Sequence, residues 1–246
     1  MDYNRNTTDY AQPQASTVDA GLRSYMLRIY NYMASGLALT GITALLASQS
    51  EAFLSAVYHM EGGYITGMSG LGWLVALAPL GFVLALSFGI QKMKSSTAQM
   101  VFWAFAVVMG LSMANIFLLY TGESIARTFF ITAGTFGAMS LWGYTTKRDL
   151  SGMGSFLFMG LIGLILASVV NIFLQSSMMA FVISVIGVLV FVGLTAYDTQ
   201  RLKNMYYQIS GHGEALAKAS IMGALSLYLD FINMFIFLLQ LIGDRR

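Results

Sequence analysis

The sequence predicts an all-α polytopic membrane protein, built as a bundle of seven transmembrane helices. Of its 246 residues, 57% are hydrophobic and only 10% are charged, whereas a soluble domain carries about 25% charged residues. The chain also contains seven apolar runs that approach the ~20 residues a helix needs to cross the hydrocarbon core. Apolar and polar residues do not alternate along these runs, as they would in the strands of a membrane β-barrel. The fold class is therefore all-α, in one domain within the lipid bilayer.

Residues 1–22 are polar and precede the first apolar run. They contain no apolar core of the kind found in a signal peptide, and we predict a disordered polar cytoplasmic tail there. Residues 23–246 form the transmembrane domain. Its fourth span is the shortest, and Arg127 at the edge of that span can extend its charged head to the membrane surface. The predicted spans cover residues 29–47, 71–90, 100–120, 128–144, 153–174, 178–197 and 220–242.

Basic residues in alternate connecting segments set the orientation. Such residues favour the cytoplasmic side of a membrane, so the amino terminus is predicted to be cytoplasmic. The seventh span either crosses the membrane, which places Arg245 and Arg246 outside, or re-enters; the length of its apolar run favours crossing. The basic residues that carry this prediction are Arg5, Arg23 and Arg28 before span one, Lys92 and Lys94 after span two, Lys147 and Arg148 after span four, and Arg201, Lys203 and Lys218 after span six.

Two aspartates are the most informative residues of the chain. Asp198 ends the apolar run FVISVIGVLVFVGLTAYD, and Asp230 interrupts ALSLYLDFINMFIFLLQLIG. A carboxylate at membrane depth is costly and by default marks a proton or ion site. If span six continues to about residue 205, Asp198 lies ~10 Å from its end, while Asp230 lies ~15 Å into span seven. These depths predict that the two carboxyl groups meet in the cytoplasmic half of the bundle.

Such a pair predicts a pH-sensing site on an ion pathway. Two carboxylates close together in low dielectric do not both ionise readily, so one proton is shared between them. The deprotonated pair offers hard oxygen ligands, but fewer than the about six to eight that calcium takes. Asp198 and Asp230 are therefore predicted to form a weak, transient calcium site that suits passage of the ion rather than its storage. No resident cofactor is predicted.

Simpler roles exist for the same polar residues. In one alternative, Asp198 caps span six near water and pairs with Arg201 at the surface, while Asp230 is a structural hydrogen-bonding residue. Asn115 and Asn171 lie inside spans three and five. They either line a wet path or form interhelical hydrogen bonds, each worth about 0.6 kcal/mol.

Three runs of the sequence resemble the Bax inhibitor-1 family of membrane proteins. They are GLTAYDTQRLKNMY (193–206), ALSLYLDFINMFIFLLQLIG (224–243) and TTKRDLSGMGSFLFMGLIGLILASVVNIF (145–173). The first two contain the aspartates and are specific to the family. The likeness extends from about residue 28 to residue 243, which is almost all of the chain except the polar tail.

The resemblance implies a seven-helix bundle with the last helix at its centre. It also implies a pH-sensitive calcium leak, which the family owes to a pair of aspartates that match Asp198 and Asp230. Bacterial relatives lie in the inner membrane, and some interact with a membrane-anchored AAA protease. Some members have an arginine in helix two that pairs with one aspartate, but segment 71–90 of this chain has no basic residue. The latch made by that ion pair is therefore not expected from this helix.

The predicted function is a pH-sensitive, calcium-permeable leak channel or exchanger of a bacterial inner membrane. Its predicted partners are the lipid bilayer, calcium and protons. The alternative is a membrane interaction protein that modulates a membrane-anchored AAA protease or a stress response, with the polar tail as the contact. The two hypotheses differ in what deletion of residues 1–22 would abolish.

Other classes of function receive little support from the sequence. The chain has no cysteine, which excludes disulfides and thiolate metal sites. No basic stripe with interleaved aromatic residues indicates nucleic-acid binding. No GxSxG, HExxH or P-loop motif is present. An intramembrane aspartyl protease would also use paired aspartates, but Leu229 precedes Asp230 where its GxGD motif requires glycine. The chain is therefore predicted not to be an enzyme.

Overall fold

The computed structural model describes residues 12–61 and 64–246, although not the side chains of residues 12–19, 60–61 and 64–65. Helices account for most of this part of the chain, and one two-stranded hairpin is present in it. The protein is an all-α membrane protein. Its elements are α1 (Gln12–Ser48), α2 (Glu51–Val57), β1 (Tyr58–Glu61), β2 (Tyr64–Met68), α3 (Gly70–Gly89), α4 (Ser95–Ser112), α5 (Ala114–Leu119), α6 (Gly122–Thr145), α7 (Ser151–Leu174), α8 (Ser177–Ile209) and α9 (Gly213–Ile242).

Six segments of the described chain are long and apolar enough to cross a membrane. They are residues 20–48 within α1, the whole of α3, α4 together with α5, and α7, α8 and α9. Helix α6 is 24 residues long but is not one of the six. Its first two turns contain the charged residues Glu123 and Arg127. It also buries hydroxyl groups, such as those of Thr128 and Thr132, and not apolar side chains alone.

Helices α6, α8 and α9 are longer than the predicted spans, and the structure differs from the prediction in three further places. Helix α1 begins at Gln12, so residues 12–22 belong to it and not to a disordered tail; Leu22 is buried in the core, which explains the longer helix. Residues 1–11 lie outside the described residues, and the tail remains a prediction there. The antiparallel hairpin β1–β2 follows α2 and was not predicted. Predicted span three is two helices, because the backbone at Met113 leaves the helical conformation.

Helix α9 runs from one end of the bundle to the other. At its start, Glu214 accepts hydrogen bonds from the Ser95 backbone N–H and hydroxyl, at 2.7 and 2.9 Å. Just past its end, Asp244 forms a 2.8 Å salt bridge with Arg127 at the start of α6. Half of its most apolar window is buried, more than in the other five candidate spans. Helix α9 is thus long and apolar enough to cross a membrane.

Glycines allow the helices around α8 to approach closely. A Cβ atom on Gly143 of α6 would collide with the backbone carbonyl of Ala196 in α8, and one on Gly154 of α7 would collide with the ring of Tyr197. Small residues at interhelical contacts are typical of membrane bundles, where backbones pack directly against one another. Helix α8 is thereby held between α6, α7 and α9 at the turn that precedes Asp198.

Candidate functional site

Contacts between α8 and α9 fix how these antiparallel helices are aligned. Near one end, the Ser184 hydroxyl donates a 2.8 Å hydrogen bond to Gln240 Oε1. Towards the other end, Arg201 Nη2 donates to the Ser226 hydroxyl at 3.3 Å. This alignment places Asp198 within about one helical turn, ~5.4 Å along the axis, of Asp230. The depths predicted from the sequence are therefore compatible with the structure, and α8 continues past residue 205 to Ile209.

Asp198 lies in the interior of α8 and is buried, with 8% of its surface exposed. Its Oδ1 lies 3.2 Å from Nη2 of Arg201, three residues further along the same helix. The alternative in which Asp198 caps the end of this helix is wrong, because α8 continues for three further turns. Asp198 does pair with Arg201, but from a buried position and not at the surface.

Asp230 is the more deeply enclosed of the two aspartates, with 5% of its surface exposed. Among the described residues, no partner reaches its Oδ2 with a hydrogen bond. The charged groups that act on it electrostatically are Asp198 and Arg201. A carboxyl that receives no hydrogen bond in a buried place is poorly stabilised as an anion, whereas a protonated carboxyl is itself a donor.

Arg201 connects the site to the surface of the bundle. Its side chain is 43% exposed, and its guanidinium lies 5.8 Å from the centre of the Tyr197 ring. Together with the Asp198 and Ser226 contacts, this position keeps a cation beside the Asp198 carboxyl group. The ion pair of the described site is therefore formed within α8, between Arg201 and Asp198.

Sequence reasoning missed three side chains around the pair. Tyr25 of α1 is buried, its hydroxyl has no hydrogen-bond partner among the described residues, and Arg201 is the charged group that acts on it. Gln200 bonds both Leu150 N and Arg148 O at 2.8 Å, which fastens the α6–α7 connection to α8. Ser226 receives the Arg201 hydrogen bond. Uncharged or aromatic residues in apolar helices gave no sequence signal that distinguishes them from packing residues.

The α6–α7 connection beside Gln200 carries an ordinary exposed carboxylate. Asp149 accepts hydrogen bonds from the side chain and backbone of Ser151, and these bonds hold the pKa of Asp149 below its usual value. The group stabilises the first turn of α7. Its charge is solvated, so a variant at Asp149 can serve as a control for variants of the two buried aspartates.

The site offers few groups that could hold a metal ion. In the part of the chain that the structure describes, no three acidic or histidine side chains lie together. Asp198 and Asp230 could therefore contribute only their own oxygens, and other ligands would be backbone carbonyls or water. Such a set lacks the closed shell of a storage site for calcium.

A large cleft opens at the end of the bundle opposite the α8–α9 connection. Its volume is about 1180 Å³, and it lies between α3, α4–α5, α7 and α8, with α9 as its floor. Its inner end reaches Leu229 and Asn233 of α9, which flank Asp230 along the helix. Asn115 and Asn171, the two asparagines singled out in the sequence, both line it.

The fold and the site define a class: a polytopic helical membrane protein with two buried carboxyl groups on adjacent helices. Within that class, the family model described as "Inhibitor of apoptosis-promoting Bax1" matches residues 22–246. The chain belongs to the Bax inhibitor-1 family, and it is an integral membrane protein.

Bacterial relatives match this chain over nearly their full length. A Rickettsia prowazekii protein, RP147, is 49% identical over 246 residues, which cover 100% of this chain and 99% of the relative. A Caulobacter vibrioides protein is 49% identical over 230 residues, or 94% of this chain and 92% of the relative. The inner membrane protein YbhL of Escherichia coli is 48% identical over 228 residues, or 92% and 94% of the two chains.

Proposed function

We propose that this protein is a pH-sensitive, calcium-permeable leak channel or exchanger of the inner membrane, gated by Asp198 and Asp230. The observation that carries the proposal is the burial of two carboxyl groups on adjacent antiparallel helices. One of them, Asp230, has an oxygen without a hydrogen-bond partner among the described residues. Intramembrane carboxyl groups are otherwise rare, because their burial is costly. The inner membrane is inferred from the relative YbhL.

The proposal includes a topology. All seven long helices cross the membrane, with α9 at the centre and the amino terminus in the cytoplasm. Helix α6 crosses with its hydroxyl groups turned inward, where Ser140 bonds Tyr30 at 2.6 Å and Thr199 at 2.9 Å. These contacts would allow a less apolar helix to lie in the bilayer, since its polar groups are satisfied by protein.

The charges at the site suggest how a proton controls it. With one proton between the two carboxyl groups and Arg201 cationic, the net charge of the three groups is zero, which suits a closed state in low dielectric. Raising the pH removes that proton and leaves a net negative charge next to the cleft. A cation then lowers the energy of the site, so calcium flux rises with pH and falls on acidification.

The test is calcium flux into liposomes that contain the purified chain and a trapped indicator, measured over a range of pH. The wild type should pass calcium with a flux that increases with pH. Asp198→Asn and Asp230→Asn remove the shared acid and should each abolish most of that pH dependence. Asp149→Asn, which removes an exposed carboxylate, is the matched control and should behave as wild type. Unchanged flux and pH response in both site variants would rule the proposal out.

The second candidate function, modulation of a membrane-anchored AAA protease through the polar tail, rests on the resemblance to relatives. The structure refines its test. Deletion of residues 1–22 would remove Leu22 from the core, whereas deletion of residues 1–11 stops before α1. The shorter deletion should abolish control of the protease and leave calcium flux intact. Retained control would discard the tail as the contact.

A further inference from the structure

We propose that the large cleft binds a membrane phospholipid, with its anionic headgroup at Arg245 and its acyl chains leaving the bundle between α3 and α7. Neither aspartate lines the cleft, although its inner end reaches Leu229 and Asn233 on either side of Asp230. The inference does not depend on calcium permeability. It rests on the shape of the cleft, on its polar groups and on its charge.

The cleft is open towards the surrounding membrane on one side. Helix α3 packs on α4 and α2, and the extensive packing of α7 is with α8, so a gap remains between α3 and α7. Leu80 on one side of this gap and Ile172 and Phe181 on the other are 58–69% exposed. An apolar rim at membrane depth suits acyl chains, while the interior of the cleft holds polar groups that acyl chains cannot satisfy.

The polar groups that face the cleft have hydrogen-bond capacity to spare. Asn171 uses its Oδ1 to accept from Ser176 N, and Gln240 uses its Oε1 to accept from Ser184, which leaves both amide nitrogens as donors. Asn115 lines the same cleft and carries a further amide group. Amide donors grouped in this way match the oxygens of a phosphodiester or of a glycerol headgroup.

The charges at the cleft favour an anionic lipid headgroup. Arg245 is exposed at the mouth of the cleft, 5.9 Å from the centre of the Tyr120 ring, and no described residue forms an ion pair with it. The neighbouring carboxylate, Asp244, is already paired with Arg127. None of the described residues that line the cleft is acidic. A phosphate therefore finds a cation, whereas the ammonium of a zwitterionic lipid finds no carboxylate.

The experiment measures lipid retention by native mass spectrometry of the purified full chain. The chain in neutral detergent is mixed with phosphatidylglycerol, with phosphatidylethanolamine, or with the soluble headgroup glycerophosphoglycerol. Wild type should retain phosphatidylglycerol in preference to phosphatidylethanolamine. Arg245→Gln should reduce that retention about ten-fold, as expected for loss of a charged hydrogen bond. Arg246→Gln removes the adjacent terminal charge and is the matched control, with an expected change below about two-fold.

A second pair of variants tests the volume of the cleft rather than its charge. Ala180→Trp places a large side chain inside the cleft and should remove bound lipid, whereas Leu189→Trp on the outer surface of α8 should not. Equal losses for Arg245→Gln and Arg246→Gln would overturn the proposal, as would lipid retention by Ala180→Trp. Displacement of the lipid by an equal concentration of glycerophosphoglycerol would show a site for a soluble anion and would also overturn it.

Discussion

Arg201 Nη2 lies 3.2 Å from Asp198 Oδ1, so the cation that neutralises the first buried aspartate comes from the same helix, three residues away. The second aspartate, Asp230, has no comparable partner for its Oδ2 among the described residues. The two carboxyl groups are therefore unequal. Asp198 has a cationic partner on its own helix, while Asp230 has an oxygen without a hydrogen-bond partner among the described residues.

Replacing the cation should change the pH at which the site switches. Arg201→Gln removes a positive charge that favours ionisation of both carboxyl groups. The sign follows directly: without that charge a higher pH is needed to release the shared proton, so the midpoint of calcium flux should move to higher pH. Flux at strongly alkaline pH should approach that of wild type. The measurement is the liposome flux titration.

Lys147→Gln serves as the control for this shift, because Lys147 is exposed in the α6–α7 connection at the same end of the bundle. Its titration should overlay that of wild type. A midpoint that moves to lower pH in Arg201→Gln, or that moves equally in both variants, would contradict the assigned role of Arg201.

The unequal environments of the aspartates should also appear in stability. Asp230→Leu removes a buried polar group that lacks a hydrogen bond at one oxygen, and the desolvation penalty of such an unsatisfied group is about 1–3 kcal/mol. Asp198→Leu breaks a pair with Arg201, at a cost held to about 1 kcal/mol by the exposure of the guanidinium. Thermal unfolding of the solubilised protein should therefore give Asp230→Leu the higher Tm of the two. The reverse order would count against Asp230 as the less satisfied group.

Close packing of α6 on α8 should be sensitive to a single methyl group. Gly143→Ala would force a Cβ atom against the carbonyl of Ala196, and overpacking of this kind costs about 1–3 kcal/mol. Gly137→Ala on the same helix is the matched control, because nothing lies within 4 Å of the added atom. It should stabilise the helix by about 0.5–1 kcal/mol. The Tm of both variants, measured by thermal unfolding, tests this prediction. Equal Tm values would show that α6 and α8 can move apart at no cost in stability.

Composition and the length of the apolar runs were enough to predict an all-α membrane protein from the sequence, because lipid permits few other folds. The burial of Asp198 and Asp230 was predictable for a related reason. A charged residue within a long apolar run avoids lipid by facing the interior of the bundle. The antiparallel order of spans six and seven then placed them side by side.

Other features depend on tertiary contacts that no local pattern encodes. The hairpin β1–β2 is a short connection between helices, and its strands carry no long alternating pattern. The extension of α1 before predicted span one is accompanied by burial of Leu22 and Tyr25 in the core. Arg201 was considered only as a surface partner, since its sequence position gives no indication that Ser226 and Tyr197 hold it beside the pair.

The burial of α9 has a consequence for how the protein is made. This helix leaves the ribosome after all the other long helices, yet it has the largest buried share of the candidate spans. Until it is released, α1, α4, α6 and α8 surround an unfilled groove. The bundle of the nascent chain is therefore incomplete until α9 has been synthesised, and truncation shortly before α9 would yield an open product exposed to quality control.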